Sequence, residues 1–288
     1  MAIKTLLVPL DGGEASARAL DGALKLAKKF TAHVTVLHIR PDPRDTIPLL
    51  GEGLSASMIE EMMAAAEREA ERGAARARGV FDEALRKAGV PSVDPSPAPG
   101  EASATWLEDI GHADTVVSLA GRLSDLIVLA RPTEATSPAG RAILDAALFE
   151  TGRPVLLVPP EPVDDIGARI AIGWNGSAEA ARAVNAGLSF IRKSQETVVV
   201  SVADGSAQPE AAPQLVEYLE WHGLDPKLVM VPGEKRPVAD TLLDTAAHEG
   251  CDLLVMGAYT HSRVRELILG GVTRQVLDTA GIALLMTH

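Results

Sequence analysis

LLVPLDGGEASARA, residues 6–19, lies without a gap on IAIGWNGSAEAARA, residues 170–183, so that Asp11 falls on Asn175. Each stretch is a short apolar run, then Asp or Asn with Gly, then a small-residue segment at helical spacing. That is the strand, turn and helix that open an α/β unit. Two further stretches repeat in the same order: DLIVL at 125–129 lies on DLLVM at 252–256, and TGRPVLLV at 151–158 lies on TAGIALLM at 279–286. Three gapless matches in one order make the chain two copies of one unit. PPEPVDD at 159–165, proline-rich and acidic, separates them, giving domains at 1–160 and 168–288.

Within the first copy the pattern predicts strands at 5–10, 33–39, 125–130 and 154–158, with a helix after the first of them. Residues 41–53 carry three prolines and two glycines and read as an excursion loop. A long helix over about 55–87 follows, free of proline, with Met58, Ile59, Met62, Met63 and Ala66 on a face assigned to core packing and a salt-bridged opposite side. The proline-rich stretch 91–100 is read as an irregular third strand, and Ala104, Leu107 and Ile110 as the start of the next helix, with another helix around 142–149. The second copy repeats the order with strands at 197–202 and 228–231 and helices at 213–221 and 238–248. Alternating strands and helices imply a parallel sheet covered on both faces.

With 288 residues, 47% of them hydrophobic and 23% charged, the chain can build two well-filled cores. A formal charge of −12 and only 3% aromatic residues argue against a nucleic-acid surface. The opening MAIKTLLVPLDGG has no tripartite leader and no apolar run approaches the length of a membrane span, so a cytoplasmic protein without a membrane role is expected. One cysteine, Cys251, beside a buried strand, reads as an inert small hydrophobe. The seven histidines show no ligand pair at helical or turn spacing, so no protein metal site is expected, and no P-loop stretch is present.

Cys251 to Thr273, CDLLVMGAYTHSRVRELILGGVT, carries the most chemistry. A buried-strand run ends at Gly257, and Gly270-Gly271-Val272-Thr273 opens a further helix, where unpaired N–H groups and the helix dipole favour an anion. Thr273 offers a hydroxyl donor, and His261, Arg263 or Arg265 offer charge. The segment resembles the nucleotide loop of the universal stress protein family, G-x2-G-x9-G-[ST]. Gly257 fills its first position and Gly270 its third, with Thr260 and Gly271 at the second and fourth.

The resemblance extends over nearly the whole chain. It implies two Rossmann-like, adenine nucleotide alpha hydrolase-like α/β domains, each with a five-stranded parallel sheet and helices on both faces. It also implies that the two fifth strands meet edge to edge, so that one chain imitates the family's dimer, and it allows a further homodimer. In this family an Asp after the first strand meets the adenine and ribose side, and the loop after the fourth strand takes the phosphates. Asp11 matches that acid in the first copy, whose phosphate loop at 131–140 lacks the glycines; the second copy has the better loop but Asn175 in place of the acid. Helix capping is the competing role for Asp11 and for Asn175. The implied ligand is ATP or AMP, with Mg²⁺ as a companion ion. It would lie in the second copy on Asn175 and the backbone of Val202 and Ala203 at the base, and on Gly257, Ala258, Thr260, Gly270, Gly271, Val272 and Thr273 at the phosphates. The function implied is a non-enzymatic stress-response or regulatory protein. The alternatives are a slow ATP hydrolase and a scaffold that binds no nucleotide and acts through the long helix.

Overall fold

A computed structural model describes residues 2–42, 55–93, 100–203, 211–233, 236–258 and 271–288. The apolar runs form strands β1 (Thr5–Pro9), β2 (His33–Arg40), β3 (Ser103–Ile110), β4 (Leu126–Ala130) and β5 (Val155–Val158) in the first half, with helices α1 (Glu14–Phe30), α2 (Ala56–Ala88), α3 (Ala113–Gly121) and α4 (Pro138–Glu150) between them. The second half repeats the series as β6 (Arg169–Gly173), α5 (Ala178–Ile191), β7 (Glu196–Ala203), α6 (Ala211–Trp221), β8 (Lys227–Pro232), α7 (Val238–His248), β9 (Leu253–Gly257), α8 (Gly271–Thr279) and β10 (Ala283–Thr287).

The strands form one sheet in the order β3-β2-β1-β4-β5-β10-β9-β6-β7-β8. Both halves therefore have the same internal order, and all pairings within each are parallel. The fifth strands join them antiparallel, Leu157 opposite Leu284, Leu156 opposite Leu285 and Val155 opposite Met286. Successive strand residues point to opposite faces, so Leu6, Val8, Leu156 and Val255 join a core under α1, α2, α5 and α6, and Leu7, Leu157, Leu254 and Met256 join another under α3, α4, α7 and α8. The first core crosses the join, where the Phe30 and Phe190 rings meet edge to face at 4.9 Å.

At the amino ends of the strands the repeat is equally exact in chemistry. The Asp125 carboxylate accepts the N–H groups of Lys4 and Thr5 at 2.8 and 3.0 Å. Asp252 accepts those of Gly167, Ala168 and Arg169 at 2.6, 3.0 and 3.1 Å. Burial pushes the Asp252 carboxyl above its ordinary range, and these backbone donors pull it back.

Two expectations are corrected. The third strand is β3, not the stretch 91–100, of which the described residues contribute a single bridge, Ser92 to Ala104. Ala104, Leu107 and Ile110 have helical spacing, but β3 lies on the sheet edge, with Leu107 and Ile110 exposed and Trp106 lying over His38 and Phe81. The methionine face of α2 is not core: Met58 is 49% and Met62 38% exposed. Packing is carried further along the helix by Ala77, Phe81 and Leu85. Gly12 follows β1, and a Cβ on it would lie 2.9 Å from the Ala77 nitrogen, so Ala77 is level with the carboxyl end of the sheet. The turns from Ala56 to Ala77 run on past that edge for about 30 Å, at the helical rise of about 1.5 Å per residue. Replacing both Met58 and Met62 by serine should change the melting temperature by less than about 2 °C, whereas Phe81→Ala should cost about 3–5 kcal/mol in denaturant titration.

Candidate functional site

In open parallel sheets, ligands meet the carboxyl ends of strands where neighbouring connections part to opposite faces. In the second half that point is β6, which stands between β7 and β9. Gly173 pairs with Val200 on one side and Met256 on the other. Asn175, Val202 and Ala258 each follow two residues after these paired positions, Asn175 in the turn beyond β6. Asn175 and Ala203 are exposed there, while Val202 and Ala258 are buried.

The turn after β6 is built by its own side chains. Asn175 Oδ1 accepts the Ser177 N–H at 3.1 Å, Gly176 sits at φ +77°, and Ser177 caps α5 by accepting the Ala180 N–H at 3.1 Å. Asp11 does the same work in the first half: its Oδ1 accepts the Gly13 N–H at 2.8 Å and the Ser16 hydroxyl at 2.5 Å, with Gly12 at φ +84°. Both residues brace the turn that leads into their helix, accepting the N–H two residues on, while the N-cap positions are Gly13 in α1 and Ser177 in α5. The Trp174 ring N–H donates to the Ala211 carbonyl at 3.0 Å, which holds the indole in packing against α6.

Gly257 ends β9 directly against the first turn of α5. A Cβ on it would stand 2.6 Å from the Ala180 nitrogen and 2.7 Å from Glu179. Sequence reading placed this glycine at the strand exit and in the phosphate loop, and this helix contact was missed. At the start of α8, no heavy atom of the described residues lies within 4 Å of a Cβ added to Gly271, and Val272 is exposed. Thr273 is buried, 4% exposed. Thr260 and Gly270, like His261, Arg263 and Arg265, lie outside the described residues.

The corresponding loop of the first half closes on itself. Thr136 Oγ1 accepts the Thr133 N–H at 2.8 Å, and Ser137 caps α4 by accepting the Gly140 N–H at 3.1 Å with Pro138 behind it. The Ser-Pro pair was a legible cap signal. Arg131 leaves this loop and donates to the Leu277 carbonyl of α8 at 2.5 Å. Burial lowers its pKa, partly offset by Asp278.

With that geometry in view, the sequence profile of the universal stress protein family matches residues 2–105 and again residues 168–288. The chain belongs to the universal stress protein family. The two matches differ in reach: in the first half the likeness stops within β3, before the loop after β4, and in the second it spans all five strands. The universal stress protein Slr1230 of Synechocystis is 24% identical over 303 residues, covering 98% of this chain and 99% of that protein. A universal stress protein structure from Archaeoglobus fulgidus superposes with a TM-score of 0.71 at 15% identity, covering 98% of this chain and 97% of the other. A Pseudomonas aeruginosa protein of unknown function covers 99% of this chain and 92% of its own, with a TM-score of 0.55 at 16% identity. These two likenesses speak for the fold.

Gly257→Ala should lower stability by about 2 kcal/mol in urea titration even without ligand, because backbone rather than a flexible side chain stands in the way. Cys251 is buried, and burial pushes its thiol up to about 11. It should resist Ellman's reagent at pH 8 in the native protein and react fully once the chain is unfolded in guanidinium.

Proposed function

We propose that the second domain is a sensor for an adenine nucleotide, ATP or AMP, within a stress-response protein that is not primarily an enzyme. The observation that carries the proposal is the switch point at β6, where Gly173 pairs with both Val200 and Met256 and leads to an exposed Asn175, in a half whose α8 begins at Gly271. Asn175 uses its oxygen in the turn and keeps amide donors for a base or ribose. The strand end at Val202 and Ala203 offers backbone groups to the base, and the first turn of α8 at Gly271, Val272 and Thr273 offers N–H groups to phosphate, with Gly257 and Ala258 bordering the site by position, since the Ala258 N–H donates to the Thr287 carbonyl at 2.8 Å. Thr260 and Gly270 complete the cradle by their places in the motif. Mg²⁺ would arrive on the triphosphate, held by its oxygens and water.

The first domain supports this role less well, since its loop at 131–140 spends polar groups on its own turn and on capping α4. We place the domain limits at 1–160 and 168–288 and the protein in the cytoplasm. Among the described residues no helix is long and apolar enough to cross a membrane. The scaffold reading draws on the exposure of Met58 and Met62.

Calorimetry with ATP and with AMP, each with and without Mg²⁺, should give saturable heat at one site per chain, and Gly270→Val should weaken it at least about tenfold, roughly 1.4 kcal/mol. Equal heats from both proteins, or two sites per chain, would remove this reading. Phosphate release above a buffer blank, lost in the same variant, would move the assignment to a slow hydrolase.

A further inference from the structure

The fifth strands meet antiparallel, so the carboxyl end of β5 lies beside the amino end of β10, with Leu157 opposite Leu284. α8 leads into β10, and its last turn therefore stands among the residues that leave the first half's strands. Arg131 is one of them. Its backbone N–H donates to the Val158 carbonyl at 2.8 Å, which continues the β4–β5 ladder and fixes the base of the side chain. From that support Nη1 donates to the Leu277 carbonyl at 2.5 Å. The Arg131 Nε is buried and has no hydrogen-bond partner among the described residues, so the side chain reaches α8 at a cost in hydration.

What it meets there is a helix end. The last four carbonyls of an α-helix lack an N–H from their own helix, and the negative end of the dipole favours a cation. α8 is nine residues long, about 13 Å at the helical rise. In so short a helix, order at one end reaches the other, because helix formation is cooperative. Its opposite end is the turn at Gly271, Val272 and Thr273, assigned above to phosphate. Arg131 and a phosphate thus answer the two ends of one dipole.

The repeat marks this contact as a departure. Continued by two residues, the match of 125–129 with 252–256 sets Arg131 on Ala258; taken back by two, the match of 151–158 with 279–286 sets Phe149 on Leu277. The two corresponding positions are bridged by different chemistry. His288 Nδ1 lies 3.2 Å from the Ala258 carbonyl, and its ring meets that of Phe149 edge to face at 4.9 Å. Where the clasped helix is α4, the bridge is aromatic; where it is α8, the bridge is a charged donor on a terminal carbonyl.

We propose that Arg131 is a positioning residue for the nucleotide crevice of the second half. By holding the last turn of α8 it orders the first turn for phosphate. The first half, whose own loop at 131–140 lacks the glycines, thereby sets the affinity of its neighbour. The proposal rests on the adenine-nucleotide reading above, and by linkage a bound nucleotide tightens the Arg131 contact in return.

Amide hydrogen exchange on the intact protein without ligand, and calorimetry with ATP, test this in wild type and Arg131→Met, which loses charge and donors at similar length. Exchange in α8 should quicken at least about tenfold relative to β7 of the same half. ATP should bind at least about fivefold more weakly. Arg131→Lys, which keeps charge and a donor, should recover part of both. Leu85→Ala, in the core under α2, lowers stability away from α8 and should leave the α8-to-β7 ratio and the ATP affinity unchanged. Thermal melts check folding, and Arg131→Gln, also uncharged, repeats the comparison if Arg131→Met does not fold. Unchanged relative exchange in α8 would overturn the proposal. So would faster exchange with ATP affinity unaltered, which would leave Arg131 a brace of the fold. Absence of saturable ATP heat from the wild-type protein would remove the nucleotide reading and the role of Arg131 together, whereas equal saturable heats from wild type and Arg131→Met would remove the role of Arg131 alone.

Discussion

The antiparallel seam between β5 and β10 is the constraint on which the rest of the molecule depends. Val155, Leu156 and Leu157 face Met286, Leu285 and Leu284, and all six are fully buried. Either half alone would present this strand as an uncovered apolar edge, a template for unwanted pairing. Joined, the two edges disappear into the middle of a ten-stranded sheet. The Phe30–Phe190 contact and the buried Ile166 add a shared core across the same line, so the halves are structurally one body although the sequence writes them as two.

Much of this was legible in the residues. Buried parallel strands read as short apolar runs, and the gapless match of residues 6–19 with 170–183 announced the duplication. The failures have physical causes. β3 was missed because an edge strand needs only one buried face, and its apolar residues Ala104, Leu107 and Ile110 happen to fall at a helical interval. The apolar stripe of α2 was correctly seen, but a periodic pattern says nothing about where along its length a helix leaves its support. That is fixed by Ala77 resting on Gly12, a contact between distant segments.

The candidate site shows the same limit in a sharper form. Asn175 and Asp11 could be placed after their strands from sequence, but their hydrogen bonds brace the turn ahead of each helix, and the N-cap positions fall to Ser177 and Gly13. Gly257 could not be understood that way. It fits a phosphate-loop pattern, yet the first turn of α5 already forbids any side chain there. A glycine can satisfy two demands at once, and a motif records only one. Arg131 reaches the Leu277 carbonyl and so ties the first half's loop to the second half's last helix, a contact between distant segments that no local pattern records.

The reversal of strand direction at the seam has a consequence for the molecule's outline. Because β5 and β10 run in opposite senses, the loops that follow the first half's strands emerge at one pole and those of the second half at the other. The overhanging turns of α2 crown the first pole, while the turn at Asn175 lies at the second. Whatever settles at one pole is screened from the other by the full height of the sheet, so news of its arrival can travel only lengthwise, through the strands and the helices that clasp them.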